Sequence, residues 1–105
     1  MEDYKTLELK VFTLPSCSVC PIAKQIASEV AQKFGLVYKE VNMNTVEGLD
    51  EGMSYQIMGA PSIVFNDEVI VRGRLVSRER LEEEVQKRLE KWRVRAAFSV
   101  KSQTP

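Results

Sequence analysis

Two cysteines stand three residues apart in the stretch Cys17-Ser18-Val19-Cys20. Thiols at this spacing in the first turn of a helix share a face and approach closely enough for a short-loop disulfide. A helix N-terminus presents free N–H groups and the positive end of the helix dipole, and both stabilise a thiolate. The thiolate, not the thiol, is the nucleophile in disulfide exchange. Cys17, nearer the preceding loop, is the expected attacker. Cys20, a turn deeper, is the expected resolving thiol. Other uses of the pair remain open on spacing alone. A structural disulfide across so short a loop would add little stability. A zinc or iron–sulfur site needs about four ligands, which two thiols could supply only across a dimer or with outside thiols. A third alternative is an interaction module whose cysteines have no redox duty. The chain contains no histidine, which removes the commonest general base, the commonest metal ligand and every Cys–His mechanism.

The elements flanking the pair are legible from periodicity. Leu7-Glu8-Leu9-Lys10-Val11-Phe12-Thr13 alternates and stops before Pro15, as a strand does. From Pro21 to Phe34 the period lengthens: Ile22, Ile26, Val30 and Phe34 recur every fourth residue beside Ala23, Ala27 and Ala31. This predicts a helix with that apolar face on a sheet, Pro21 in its first turn and Gly35 as its stop. Residues 36–41 form a second predicted strand. Asn44, with Glu47 three residues on, predicts the start of a second helix through about Tyr55, weakened by Gly48 and Gly52. Residues 62–65 and 69–71 around Asn66-Asp67-Glu68 predict a hairpin. Ser77 is the expected N-cap of a last helix, with Val76 and Leu81 as its hydrophobic staple. That helix should bury Leu81, Val85, Leu89 and Trp92, and pair Glu83 with Lys87 and Glu84 with Arg88 on its wet side. The order is β-α-β-α-β-β-α, an α/β class with the first two strands parallel.

At 105 residues the chain is expected to form one domain over residues 1–95, with 96–105 as a flexible tail. Fifteen basic and fifteen acidic residues cancel, so neither nucleic acid nor an anionic membrane is the expected partner. The polar start Met1-Glu2-Asp3-Tyr4-Lys5 lacks the apolar stretch of a secretory signal, so the expected place of work is the cytoplasm. In that reducing compartment a close cysteine pair is more often catalytic or metal-binding than structural.

The stretch Val11-Phe12-Thr13-Leu14-Pro15-Ser16-Cys17-Ser18-Val19-Cys20-Pro21 resembles the active-site segment of glutaredoxins and of glutaredoxin-like thioredoxins and protein disulfide oxidoreductases. Gly59-Ala60-Pro61-Ser62-Ile63 is similar to the second landmark of that superfamily, a cis-proline before the third strand. The resemblance covers about Leu7 to Trp92. It implies the thioredoxin fold, a mixed four-stranded sheet flanked by helices, with Cys17 as nucleophile, Cys20 as resolving thiol and Pro61 in cis facing them. It further implies that Ala60 offers backbone groups to a bound peptide. Ser18 and the N–H groups of Val19 and Cys20 are expected to steady the thiolate. The implied partners are disulfide-containing proteins, with a reductase or a low-molecular-weight thiol as electron donor. No cofactor or metal is implied, and the chain is expected to be a monomer.

The sequence departs from both halves of the superfamily. Ser16 replaces the tryptophan, Ser18-Val19 the Gly-Pro, and Val11 the buried acid that thioredoxins carry. Leu14 and Pro15 replace the basic residue, and Arg72-Gly73-Arg74 the Gly-Gly-acidic segment, of glutathione-binding glutaredoxins. Gly73 and Arg74 would be the contacts for a glutathione carboxylate, against the alternative that Arg74 is solvated surface. Met43, Met53 and Met58 are expected as gap-fillers or groove lining. Arg93, Arg95 and Lys101 are expected as a solvated end.

Overall fold

The computed structural model describes the backbone of residues 7–103 and the side chains of residues 7–91. Its elements run β1 (Glu8–Thr13), α1 (Cys20–Phe34), β2 (Val37–Asn42), α2 (Val46–Ser54), β3 (Ser62–Phe65), β4 (Glu68–Val71) and α3 (Arg78–Gln103). The strands form one sheet in the order β2-β1-β3-β4. β1 and β2 are parallel, and β3 runs antiparallel to both β1 and β4. This is the predicted element order, with most boundaries displaced by a residue or two and the end of α3 by more.

Alternation along β1 decides the layering, because successive side chains leave opposite faces. Leu9 and Val11 enter a core with Ala23, Ala27 and Val30 of α1, Ile63 and Phe65 of β3, and Leu81 and Val85 of α3. Phe12 enters a second core on the other face with Val41, Met43, Ile57 and Val64. The helices α1 and α3 therefore cover one face, and α2 with the segment after it closes the other.

The α1 contact face is narrower than its apolar pattern suggests. Ala23, Ala27, Val30 and Ala31 are the buried positions, Ile26 and Phe34 flank them, and Ile22 is 50% exposed. Small side chains at the centre let the helix approach the sheet closely, which pushes the larger residues to the margin. Gly35 ends the helix as expected, at φ +70°. The N–H of Leu36 bonds the Ala31 carbonyl and that of Gly35 the Gln32 carbonyl, the paired Schellman pattern.

The cap of α2 is Thr45, not the predicted Asn44. Thr45 Oγ1 accepts from the Gly48 N–H at 2.9 Å, whereas the Asn44 N–H is turned back to Asn42 Oδ1. Gly48 and Gly52 are buried, and a Cβ at Gly48 would sit 1.9 Å from the Asn42 carbonyl oxygen. A Cβ at Gly52 would sit 2.8 Å from Met43 Sδ. The glycines that lower helix propensity are thus what lets α2 lie against the end of β2. Met43 fills the core as expected, while Met53 and Met58 are exposed.

In α3, Ser77 Oγ accepts from the Arg80 N–H, and Val76 packs on the cluster holding Leu81, as cap and staple predict. Arg88 pairs with Glu84 at 2.7 Å. Lys87, however, turns to Glu84 rather than to the predicted Glu83. The backbone of α3 continues through Gln103, past the domain boundary expected near residue 95. No glycine or proline interrupts the sequence from Arg78 to that point. The side chains of Trp92, Arg93, Arg95 and Lys101 lie outside the described residues.

Candidate functional site

β1 ends at Thr13, and the chain turns over residues 14–19 before α1 begins at Cys20. The Cys17 N–H closes that turn on the Leu14 carbonyl at 3.1 Å. Cys17 and Cys20 are joined by a disulfide, their Cα atoms 5.4 Å apart. Cys17 is partly exposed, and Cys20 is 3% exposed. Val19, in the N-cap position of α1, makes no side-chain cap, proline follows in the first turn, and that turn carries no acidic residue. Its free N–H groups therefore face the cysteine loop with no carboxylate to oppose a thiolate there. Ser18 is exposed and Val19 half-buried beside them.

Opposite the loop, the Ala60–Pro61 peptide is cis, the isomer the resemblance implies. Strand register places it. Phe12 of β1 pairs with Ser62 of antiparallel β3, so the cysteine loop and Ala60–Pro61 leave the same end of neighbouring strands. The exit of β4 into Arg72-Gly73-Arg74 lies at this end too, since Ile63 pairs with Val71. Arg72 Nη2 is committed to the Tyr55 carbonyl at 3.1 Å, and Arg74 is exposed. The Gly73 N–H, at a residue with φ +71°, donates to Ser62 Oγ.

Val11, where thioredoxins keep a buried acid, is fully buried against α1. Its register partner on β2 is Glu40, which accepts from Thr13 Oγ1 at 3.1 Å and lies 3.5 Å from Lys24 of α1. Burial, with the Glu40 charge second, raises the neighbouring Tyr38 hydroxyl above its ordinary value. On the α2 face Lys10 bonds Glu51. Burial draws the Lys10 ammonium down, but that bond and the charges of Tyr55, Glu51 and Glu8 outweigh it and hold the pKa above the usual lysine value.

Ser62, placed by its sequence only in the Gly59–Ile63 motif and in a strand, has a further role in the structure. Ser62 is fully buried, donates through Oγ to the Gly59 carbonyl at 2.7 Å and accepts from Gly73 N–H at 2.9 Å. The available signal was a hydroxyl opening an otherwise apolar buried strand, Ser62-Ile63-Val64-Phe65. Such a group must find partners inside the protein.

A disulfide at the start of α1, a cis X–Pro on the adjoining strand and this sheet order define the class of thiol–disulfide oxidoreductases. A family model described as a thioredoxin domain matches residues 7–86, and the chain belongs to the thioredoxin family. A probable thioredoxin of Archaeoglobus fulgidus is 38% identical over 65 residues, covering 62% of this chain and 71% of the relative. The thioredoxin of Methanocaldococcus jannaschii is 35% identical over 83 residues, covering 79% of this chain and 96% of the relative. Among solved structures, thioredoxin O2 of Arabidopsis thaliana in its oxidised state is similar in fold, with a TM-score of 0.64 at 15% identity over 81% of this chain and 76% of that one. No helix among the described residues is long and apolar enough to cross a membrane.

Proposed function

We propose that the protein reduces or exchanges disulfides in partner proteins through the Cys17–Cys20 dithiol. The observation that carries this is the disulfide at the uncapped N-terminus of α1, with its outer cysteine partly exposed and its inner one buried. In the reduced protein the Cys17 thiolate attacks one sulfur of a substrate disulfide. That S–S bond breaks, a Cys17–substrate bond forms, and the other substrate sulfur leaves as a thiolate that takes up a proton. Cys20 then loses its proton and attacks Cys17. This releases the second substrate sulfur and leaves Cys17–Cys20 oxidised by two electrons. The N–H groups of Val19 and Cys20, with Ser18, steady the Cys17 thiolate. Ala60 and Pro61 receive the substrate chain on the adjoining strand end.

A flavin-dependent reductase or a low-molecular-weight thiol returns the electrons, and the work is done in the cytoplasm by a monomer of one compact domain. A glutathione contact at Gly73 and Arg74 finds less support, because the Gly73 N–H already serves Ser62. Cys17→Ser should abolish reduction of a protein disulfide such as insulin. Cys20→Ser should instead accumulate a mixed disulfide between Cys17 and the substrate, visible by mass. A Cys20→Ser variant that turned over insulin normally would overturn the two-cysteine mechanism.

A further inference from the structure

Ser62 joins two backbone segments at this end of the sheet, the one leading into β3 and the one leaving β4. It donates to the carbonyl of Gly59, three residues before it in the chain, and accepts from the N–H of Gly73, just after β4 ends. The two glycines nearly touch: a Cβ at Gly59 would lie 3.7 Å from Gly73 Cα. The hydroxyl is fully buried, and it both donates and accepts a hydrogen bond, which lowers the cost of burying such a group.

Peptide geometry gives this clip a direction. The Gly59–Ala60 peptide is trans, the cis bond being the next one along. In a planar trans peptide the carbonyl and the N–H point opposite ways. Holding the Gly59 carbonyl on the buried Ser62 hydroxyl therefore turns the Ala60 N–H away from the interior. Among the described residues that N–H makes no hydrogen bond, and Pro61 after it has no N–H. A rigidly aimed donor binds an extended chain better than one that must first be oriented, because the ordering cost is already met.

We infer that Ser62 is a positioning residue for substrate docking: it aims the Ala60 N–H at the incoming chain and locks the cis-proline loop to the Gly73 turn as one unit. This rests on Ala60 receiving the substrate, as proposed above. It goes beyond that role by placing part of the docking energy in a residue that touches neither substrate nor sulfur.

The test compares Ser62→Ala with Ser62→Thr, which keeps a hydroxyl. It uses insulin, whose chain must dock, and 5,5′-dithiobis(2-nitrobenzoate), which is too small to span the docking edge. Loss of one orienting hydrogen bond should raise KM for insulin about three- to tenfold in Ser62→Ala, with kcat and the small-disulfide reaction moved far less. Ser62→Thr should restore KM. Amide hydrogen exchange on the unaltered oxidised protein supplies a readout independent of any variant's folding: the Gly73 N–H should be protected and the Ala60 N–H should not. An unchanged KM in Ser62→Ala, an equal loss on both disulfides, or an unprotected Gly73 amide would each overturn the inference. Insulin left intact by the unaltered protein would overturn the docking reading itself, and this inference with it. That result stands apart because it precedes any Ser62 variant.

Discussion

Single residues in this protein are often explained by what lies across the fold rather than beside them in the chain. Gly48 is the clearest case. In an isolated helix, alanine at this position would be favoured over glycine by about 1 kcal/mol. Here the added Cβ would meet the Asn42 carbonyl oxygen at 1.9 Å, so backbone would have to move. Gly48→Ala is expected to destabilise the protein by about 1–3 kcal/mol, as overpacking does. Urea unfolding measures it, and a gain in stability would mean that α2 can slide off β2. Local pattern and tertiary contact thus gave opposite signs, and the sequence carried only the first. The cysteines were legible for the converse reason: their chemistry depends on four consecutive residues and on the helix they open. Ser62 was not, because Gly73, the second of its two partners, comes beside it only through the β3–β4 pairing. Thr45 took the cap from Asn44 for a similarly local yet unseen reason. Its hydroxyl also reaches the Asn42 carbonyl at 2.9 Å, a link that exists only once β2 has ended there.

At the scale of elements, periodicity, capping and turn signals located the strands and helices of the described residues, while the faces of the helices needed the structure. Ile22, Ile26, Val30 and Phe34 marked the correct side of α1, but alanines hold its centre. α3 is bound by charge as well as by Leu81 and Val85. Glu84 accepts from Arg88 at 2.7 Å and Arg80 at 3.0 Å, and Arg88 reaches Glu68 of β4 at 3.0 Å. The Arg88 hydrogen bond is the largest influence on the Glu84 carboxyl; with Lys87 and Arg80 it outweighs burial and sets the pKa below the usual 4.5. A carboxyl lowered on folding contributes stability that is complete above its unfolded value and is lost as pH falls through the folded one. Acid unfolding below about pH 4.5 should therefore include a component from α3 that Glu84→Gln removes. Thermal melts of both proteins between neutral pH and pH 3 measure it. An unchanged acid dependence in the variant would show that this network does not stabilise the fold.

For the whole molecule, the two faces of the sheet have different duties. One is filled by α1 and α3 and fixes the helix that carries Cys20; the other is closed by α2 and the chain leading to Ala60–Pro61. A small fold can then bring three segments to one strand end without a deep cavity, an arrangement suited to a substrate that is itself a protein. For the reductant proposed above, the Cys17–Cys20 pair should have a reduction potential near the thioredoxin value of roughly −270 mV. Equilibration against a dithiol buffer with thiol trapping measures it. A value at or above roughly −180 mV would instead mark an oxidant or isomerase.

The unequal burial of the two sulfurs also makes the reduced protein a single-site chemical handle. With no cysteines elsewhere and Cys20 almost fully enclosed, a brief exposure to a bulky maleimide should place one dye on Cys17 and none on its neighbour. The oxidised form should take up none, so the label would count reduced molecules one by one in a mixed population.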